Sequence, residues 1–145
     1  MWFVGFPTAD SGIAPRGGWR WWRWFTAPGY RHVCAWCPAG DGGTLFVDPL
    51  AGRLTVEYFP QPVEQVTRHF VDAGIWTLAF PGVLPGPHRR PPLRPLVTCT
   101  EVIKAAIGLR AWSVITPRQL ARALRRRGAV PVLPLTSLPP SQQGA

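Results

Sequence analysis

Acidic residues are scarce in this chain. Seven Asp and Glu face sixteen Lys and Arg across 145 residues, a formal net charge of +9. Lysine is nearly absent, since Lys104 is the only one and every other basic residue is Arg. A surface of this sign attracts polyanions such as nucleic acid, anionic lipid or wall polymers. A high-GC coding bias writes the same composition, so charge alone does not select a function. Cysteine is equally sparse. Cys34, Cys37 and Cys99 are the only three, and an odd number excludes a fully paired disulfide framework. No apolar run approaches the roughly 20 residues a membrane-spanning helix needs, so no transmembrane segment is expected. The opening residues, Met1 to Phe6, lack a basic stretch before their apolar ones, and no secretory signal is visible. The expected compartment is the reducing cytoplasm, where Cys99 stays a thiol.

Proline (18) and glycine (15) are abundant, and 46% of residues are apolar. That composition predicts one globular domain of short elements between many turns. The domain is expected over 1–130, with a Trp-rich N-terminal extension over 1–28, a Pro-rich loop over 81–95 and an irregular tail over 131–145. Trp2–Phe6 reads as a short strand. Trp19–Phe25 alternates imperfectly and reads as strand or extended chain. Strands are predicted at Tyr30–Trp36, Thr44–Asp48 and Arg53–Phe59, with turns at Asp41-Gly42-Gly43 and Pro49-Leu50-Ala51-Gly52, which together make an antiparallel meander. Pro62–Ala73 reads as a helix stopped by Gly74, and Ile75–Phe80 as a strand.

The last third carries the sharpest signals. Thr98-Cys99-Thr100-Glu101 has the form of a capping box, with Thr98 as N-cap and Glu101 reaching back to it. The helix it opens runs to Ile107 before Gly108. Ala111–Ile115 reads as a strand. Thr116 and Pro117 start a second helix whose Leu120, Ala121, Ala123 and Leu124 face the core.

Cys99 would therefore be the first residue of a helix. Unpaired N–H groups and the positive end of the macrodipole lie there, a setting that favours a thiolate and can hold an oxyanion. A small buried Cys at a helix start is the competing reading. His32, expected on the strand that opens the meander, supplies the base that a thiol nucleophile needs. His69 and His88 are weaker candidates, because Arg68, Arg89 and Arg90 stand beside them. Two other chemistries compete. His32, Cys34 and Cys37 have zinc-like spacing, but i and i+3 on a strand point to opposite faces and a second ligand pair is missing. Trp19-Arg20-Trp21-Trp22-Arg23-Trp24 interleaves rings with cations as single-strand nucleic-acid binders do. So dense a run of aromatics is more easily buried than displayed.

Here the chain resembles the permuted branch of the NlpC-like papain-type cysteine hydrolases, which includes YiiX-like and lecithin–retinol acyltransferase-like proteins. His32-Val33-Cys34-Ala35-Trp36, Cys99-Thr100-Glu101-Val102-Ile103 and Thr116-Pro117-Arg118-Gln119-Leu120 resemble its three segments in the same order. The resemblance implies an α+β, permuted papain-like fold, an antiparallel sheet packed against a helix bearing Cys99. It implies a thiol hydrolase or acyltransferase with Cys99 and His32 as catalytic pair, acting on a peptide, wall-peptide amide or lipid ester. The third residue it implies is polar and on the strand after His32. Asp48 is the first choice and Glu57 the reserve. No cofactor and no metal ion are expected. The chain also resembles small proteins of tailed phages, which makes a virion location and a virion partner the second expectation. A catalytically silent relative serving in interactions, and a basic nucleic-acid-binding module, are the alternatives.

Overall fold

A computed structural model describes residues 1–7, 32–50, 53–82 and 98–134. In chain order these residues form β1 (Trp2–Phe6), β2 (Cys34–Pro38), β3 (Thr44–Leu50), β4 (Arg53–Phe59), α1 (Val63–Asp72), β5 (Trp76–Phe80), α2 (Cys99–Ala106), α3 (Pro117–Arg126) and β6 (Val130–Val132). The fold is α+β. All described strands join one antiparallel sheet in the order β4-β3-β2-β1-β5-β6. The expected meander is present as β2, β3 and β4.

Alternation along the strands gives the sheet two buried faces. On one face Val4, Phe6, Val33, Ala35, Val47 and Leu78 pack with Ile103 and Ile107 of α2 and Leu120 and Leu124 of α3. Each side chain of this size that is fully withdrawn from water contributes roughly 1.5–3 kcal/mol. Cys34, Trp36 and Phe46 line the other face under Val63 and Val66 of α1. The Trp36 indole Nε1 donates to Thr67 Oγ1 at 2.8 Å, so its polar edge is satisfied inside the core. Gly5 is required beneath that ring, since a Cβ there would lie 2.7 Å from Trp36 Cζ3. The two helices nearest the site thus sit on the opposite face of the sheet from α1.

Several expectations need correcting. β1 is a central strand between β2 and β5, so Trp2–Phe6 belongs to the sheet, while residues 8–28 of the expected extension lie outside the described ones. β2 begins at Cys34, and His32 stands just before it. β3 continues through Pro49 to Leu50, pairing Pro49 with Leu54. Proline lacks an N–H, but the β2 pairing has already ended at Val47, so no ladder bond is lost on that side. Pro62 is the N-cap of α1 and not its first helical residue. Ala111–Ile115 is a turn region and not a strand, because the Ala111 and Val114 carbonyls accept from Lys104 Nζ. Pro131 and Val132, expected in the irregular tail, belong instead to β6 (Val130–Val132), an edge strand on β5, where proline is tolerated. The segment Trp19–Phe25, most of the Pro-rich loop and His88 lie outside the described residues.

Candidate active site

α2 starts where the Thr-x-x-Glu pattern places it. Thr98 is extended (φ −94°, ψ 162°) and its side chain accepts from the Glu101 N–H at 3.3 Å. The reciprocal bond of the expected box is not among the described contacts of Glu101. Glu101 Oε1 accepts from Lys104 Nζ at 2.8 Å. Cys99, a free and half-buried thiol, is the first residue of the helix. Its own N–H and that of Thr100 have no acceptor within the helix.

His32 meets this helix end. The ring is buried, 5% exposed, and its Nε2 lies 2.5 Å from Asp48 Oδ1. Cys99 is its second polar neighbour. Burial alone would lower the His32 pKa. Hydrogen bonds to Asp48 and to Cys99, with the attraction of both charges, outweigh it and raise the value to about 9. The imidazole is therefore protonated at neutral pH, and a cation faces the thiol. Asp48 lies within β3, opposite Thr55 of β4, so its carboxylate is fixed by the sheet and is not a turn residue. Glu57 lies on exposed β4, opposite Phe46, and has no described bond to His32.

The three thiols are chemically distinct. Cys34 is 2% exposed and its Sγ points to the Gly5 carbonyl at 3.7 Å. Burial, then the nearby charges of Asp48 and Cys99, push its pKa far up, so it stays a neutral thiol beside the site. Burial also raises Cys37. His69, on α1, packs its ring near Phe70 at 5.8 Å.

Lys104 is the neighbour that sequence reasoning passed over. It is 5% exposed, and Glu101 Oε1, the Ala111 carbonyl and the Val114 carbonyl accept from its three N–H groups at 2.8, 2.7 and 2.8 Å. The signal was there: it is the single Lys of the chain, three residues after a Glu on a helix. One polar atom next to Cys99 is unmatched. The Thr100 hydroxyl is fully buried and has no hydrogen-bond partner among the described residues.

No family model, no curated protein and no solved structure matches the chain.

Proposed function

We propose that the chain is a thiol hydrolase or acyltransferase that acts on an amide or ester through Cys99 and His32, in the manner of the permuted NlpC-like papain-type enzymes it resembles. The observation that carries the reading is the order of contacts Cys99–His32–Asp48 at the start of α2. A nucleophile, a base and an orienting acid in a row are what covalent catalysis requires, and the orienting acid holds the ring for proton transfer.

In the acylation step the Cys99 thiolate attacks the substrate carbonyl. A C–S bond forms and the carbonyl π pair moves to oxygen, where the first N–H groups of α2 receive it. The tetrahedral adduct collapses, the C–N or C–O bond breaks, and the leaving amine or alcohol takes the proton from His32. A thioester on Cys99 and a neutral imidazole remain. Water, or an acceptor alcohol in acyl transfer, then gives its proton to His32 as it attacks the thioester. The acyl group departs and the thiolate–imidazolium pair is restored. The substrate class by resemblance is a peptide amide, a wall-peptide amide or a lipid ester.

An electrophilic activity-based thiol probe tests the proposal. Wild-type protein is expected to be labelled on Cys99. Cys99→Ala should abolish labelling and His32→Ala should slow it more than tenfold, since positioned acid–base groups contribute on the order of 10²–10⁴. Iodoacetamide at mildly acidic pH should modify Cys99 before Cys34 and Cys37. Labelling that ignores His32 would leave a catalytically silent protein of interactions as the better reading.

A further inference from the structure

β4 forms one end of the sheet, and among the described residues it pairs with β3 alone. Sheet edges present unpaired N–H and C=O groups, and proteins ordinarily blunt a free edge with proline, lysine or a bulge. β4 reads Arg53-Leu54-Thr55-Val56-Glu57-Tyr58-Phe59. It has no proline and no lysine, and it stays in register with β3 over all seven residues, Thr44↔Phe59 to Leu50↔Arg53. Its apolar side chains face water: Leu54 is 57% exposed, Val56 54% and Tyr58 51%. They alternate along the strand, so all three occupy one face. Arg53, Thr55 and Glu57 occupy the other.

The two charges decide what fits. Neither Arg53 nor Glu57 has an ion-pair partner among the described residues. In an antiparallel pair of identical strands with the two-fold axis through Thr55, residues whose numbers lie symmetrically about 55 face each other. Arg53 then meets Glu57 of the second copy, and Glu57 meets its Arg53. Leu54 meets Val56, Val56 meets Leu54, and the two Thr55 side chains meet at the axis. Opposite charges, apolar pairs and a Thr–Thr pair are each favourable cross-strand neighbours. A one-residue slip would break all of these pairs at once. The strand is self-complementary in charge, shape and polarity, although the chain as a whole carries +9.

We propose that the β4 edge is a homodimer interface, where a second copy of this chain adds its β4 antiparallel about Thr55 and the two sheets become one. The hydrogen bonds lie between main chains, and the register is set by the two Arg53–Glu57 pairs. On the opposite face a strip of Leu54 and Val56 from both copies closes against water. The axis residue Thr55 is the cross-strand neighbour of Asp48, so the interface lies one strand away from the carboxylate that His32 meets.

Light scattering and sedimentation of the full chain over a range of concentrations test the proposal. Wild-type protein should be a dimer. Arg53→Glu alone and Glu57→Arg alone each set like charges against each other and should raise the dimer dissociation constant at least roughly tenfold. An equimolar mixture of the two variants restores opposite charges at both pairs and should dimerise as tightly as wild type, as should the double variant Arg53→Glu/Glu57→Arg. Both side chains are exposed, so the circular dichroism of the single variants should match that of wild type, and recovery on mixing shows that they are folded. A wild-type monomer at every concentration would overturn the proposal. So would a dimer indifferent to the single reversals, or single variants that fail to pair when mixed.

Discussion

α2 and α3 begin from nearly identical material. Each follows an extended Thr, with φ and ψ of −94° and 162° at Thr98 and −105° and 154° at Thr116, and in each the Thr side chain accepts from the third helical N–H at 3.3 Å. Glu101 and Gln119 stand at the same place. In α3 the box closes, with Gln119 Oε1 accepting from the Thr116 N–H at 3.0 Å and the Ile115 N–H at 2.8 Å. Its first residue is Pro117, which has no N–H to offer. In α2 Glu101 Oε1 accepts from Lys104 Nζ, and the first residue is a cysteine whose N–H has no acceptor within the helix. One helix start is sealed and serves stability. In the other the glutamate of the same position is paired with a buried lysine. A negative group at that point would complement the helix dipole but compete with the thiolate for it. The caps match, and the described difference is the buried cation on Glu101.

The strongest way to break this comparison is Lys104→Met. It removes the donor that Glu101 Oε1 and the two carbonyls of the 111–114 turn share, and should cost about 3 kcal/mol in denaturant unfolding. Gln119→Ala, the matched change in α3, should cost only about 1 kcal/mol. Freed from Lys104, Glu101 can swing back to the Thr98 N–H, so Cys99 alkylation in Lys104→Met should slow several-fold. Glu101→Gln in that background should restore the rate. Equal costs in the two helices, or an unchanged alkylation rate, would show that Lys104 is ordinary packing.

Acid–base behaviour should separate the two ends next. The folded His32 pKa, about 9, lies above its ordinary value of 6.5. The stabilisation from its protonated form is complete below pH 6.5 and is lost as pH rises through 9, at most about 3 kcal/mol in total. Unfolding free energy should fall over that window in wild type and stay flatter in His32→Gln. The preference of an alkylating reagent for Cys99 over a small free thiol should fade over the same window, as the cation beside the sulfur disappears. A rise of stability with pH there would contradict the ion pair.

Thr100 gives the smallest effect. It and Arg118 occupy the second position of their helices, one fully buried with an unmatched hydroxyl and one exposed. Thr100→Val removes an unsatisfied buried group at nearly constant shape and should raise stability by about 1 kcal/mol. Arg118→Ala should change stability by less than about 0.5 kcal/mol. A loss on Thr100→Val, measured by thermal melting, would reveal a partner for that hydroxyl.

Short-range patterns were enough for a definite part of this protein. The caps Thr98 and Thr116, the first-turn positions of Cys99 and Pro117, the β3–β4 hairpin and the inward face of α3 follow from interactions within about four residues of each position. Such interactions are written in the local sequence, so composition and spacing find them. Tertiary structure decided the rest, because the deciding partners are far apart along the chain. His32 and Asp48 are sixteen residues apart, and only sheet register brings the carboxylate under the ring. Lys104 reaches carbonyls seven and ten residues on, which turned an expected strand into a clamp. β1 lies at the sheet's centre and β6 at its edge because strand order depends on which faces the helices cover, a property no single segment carries.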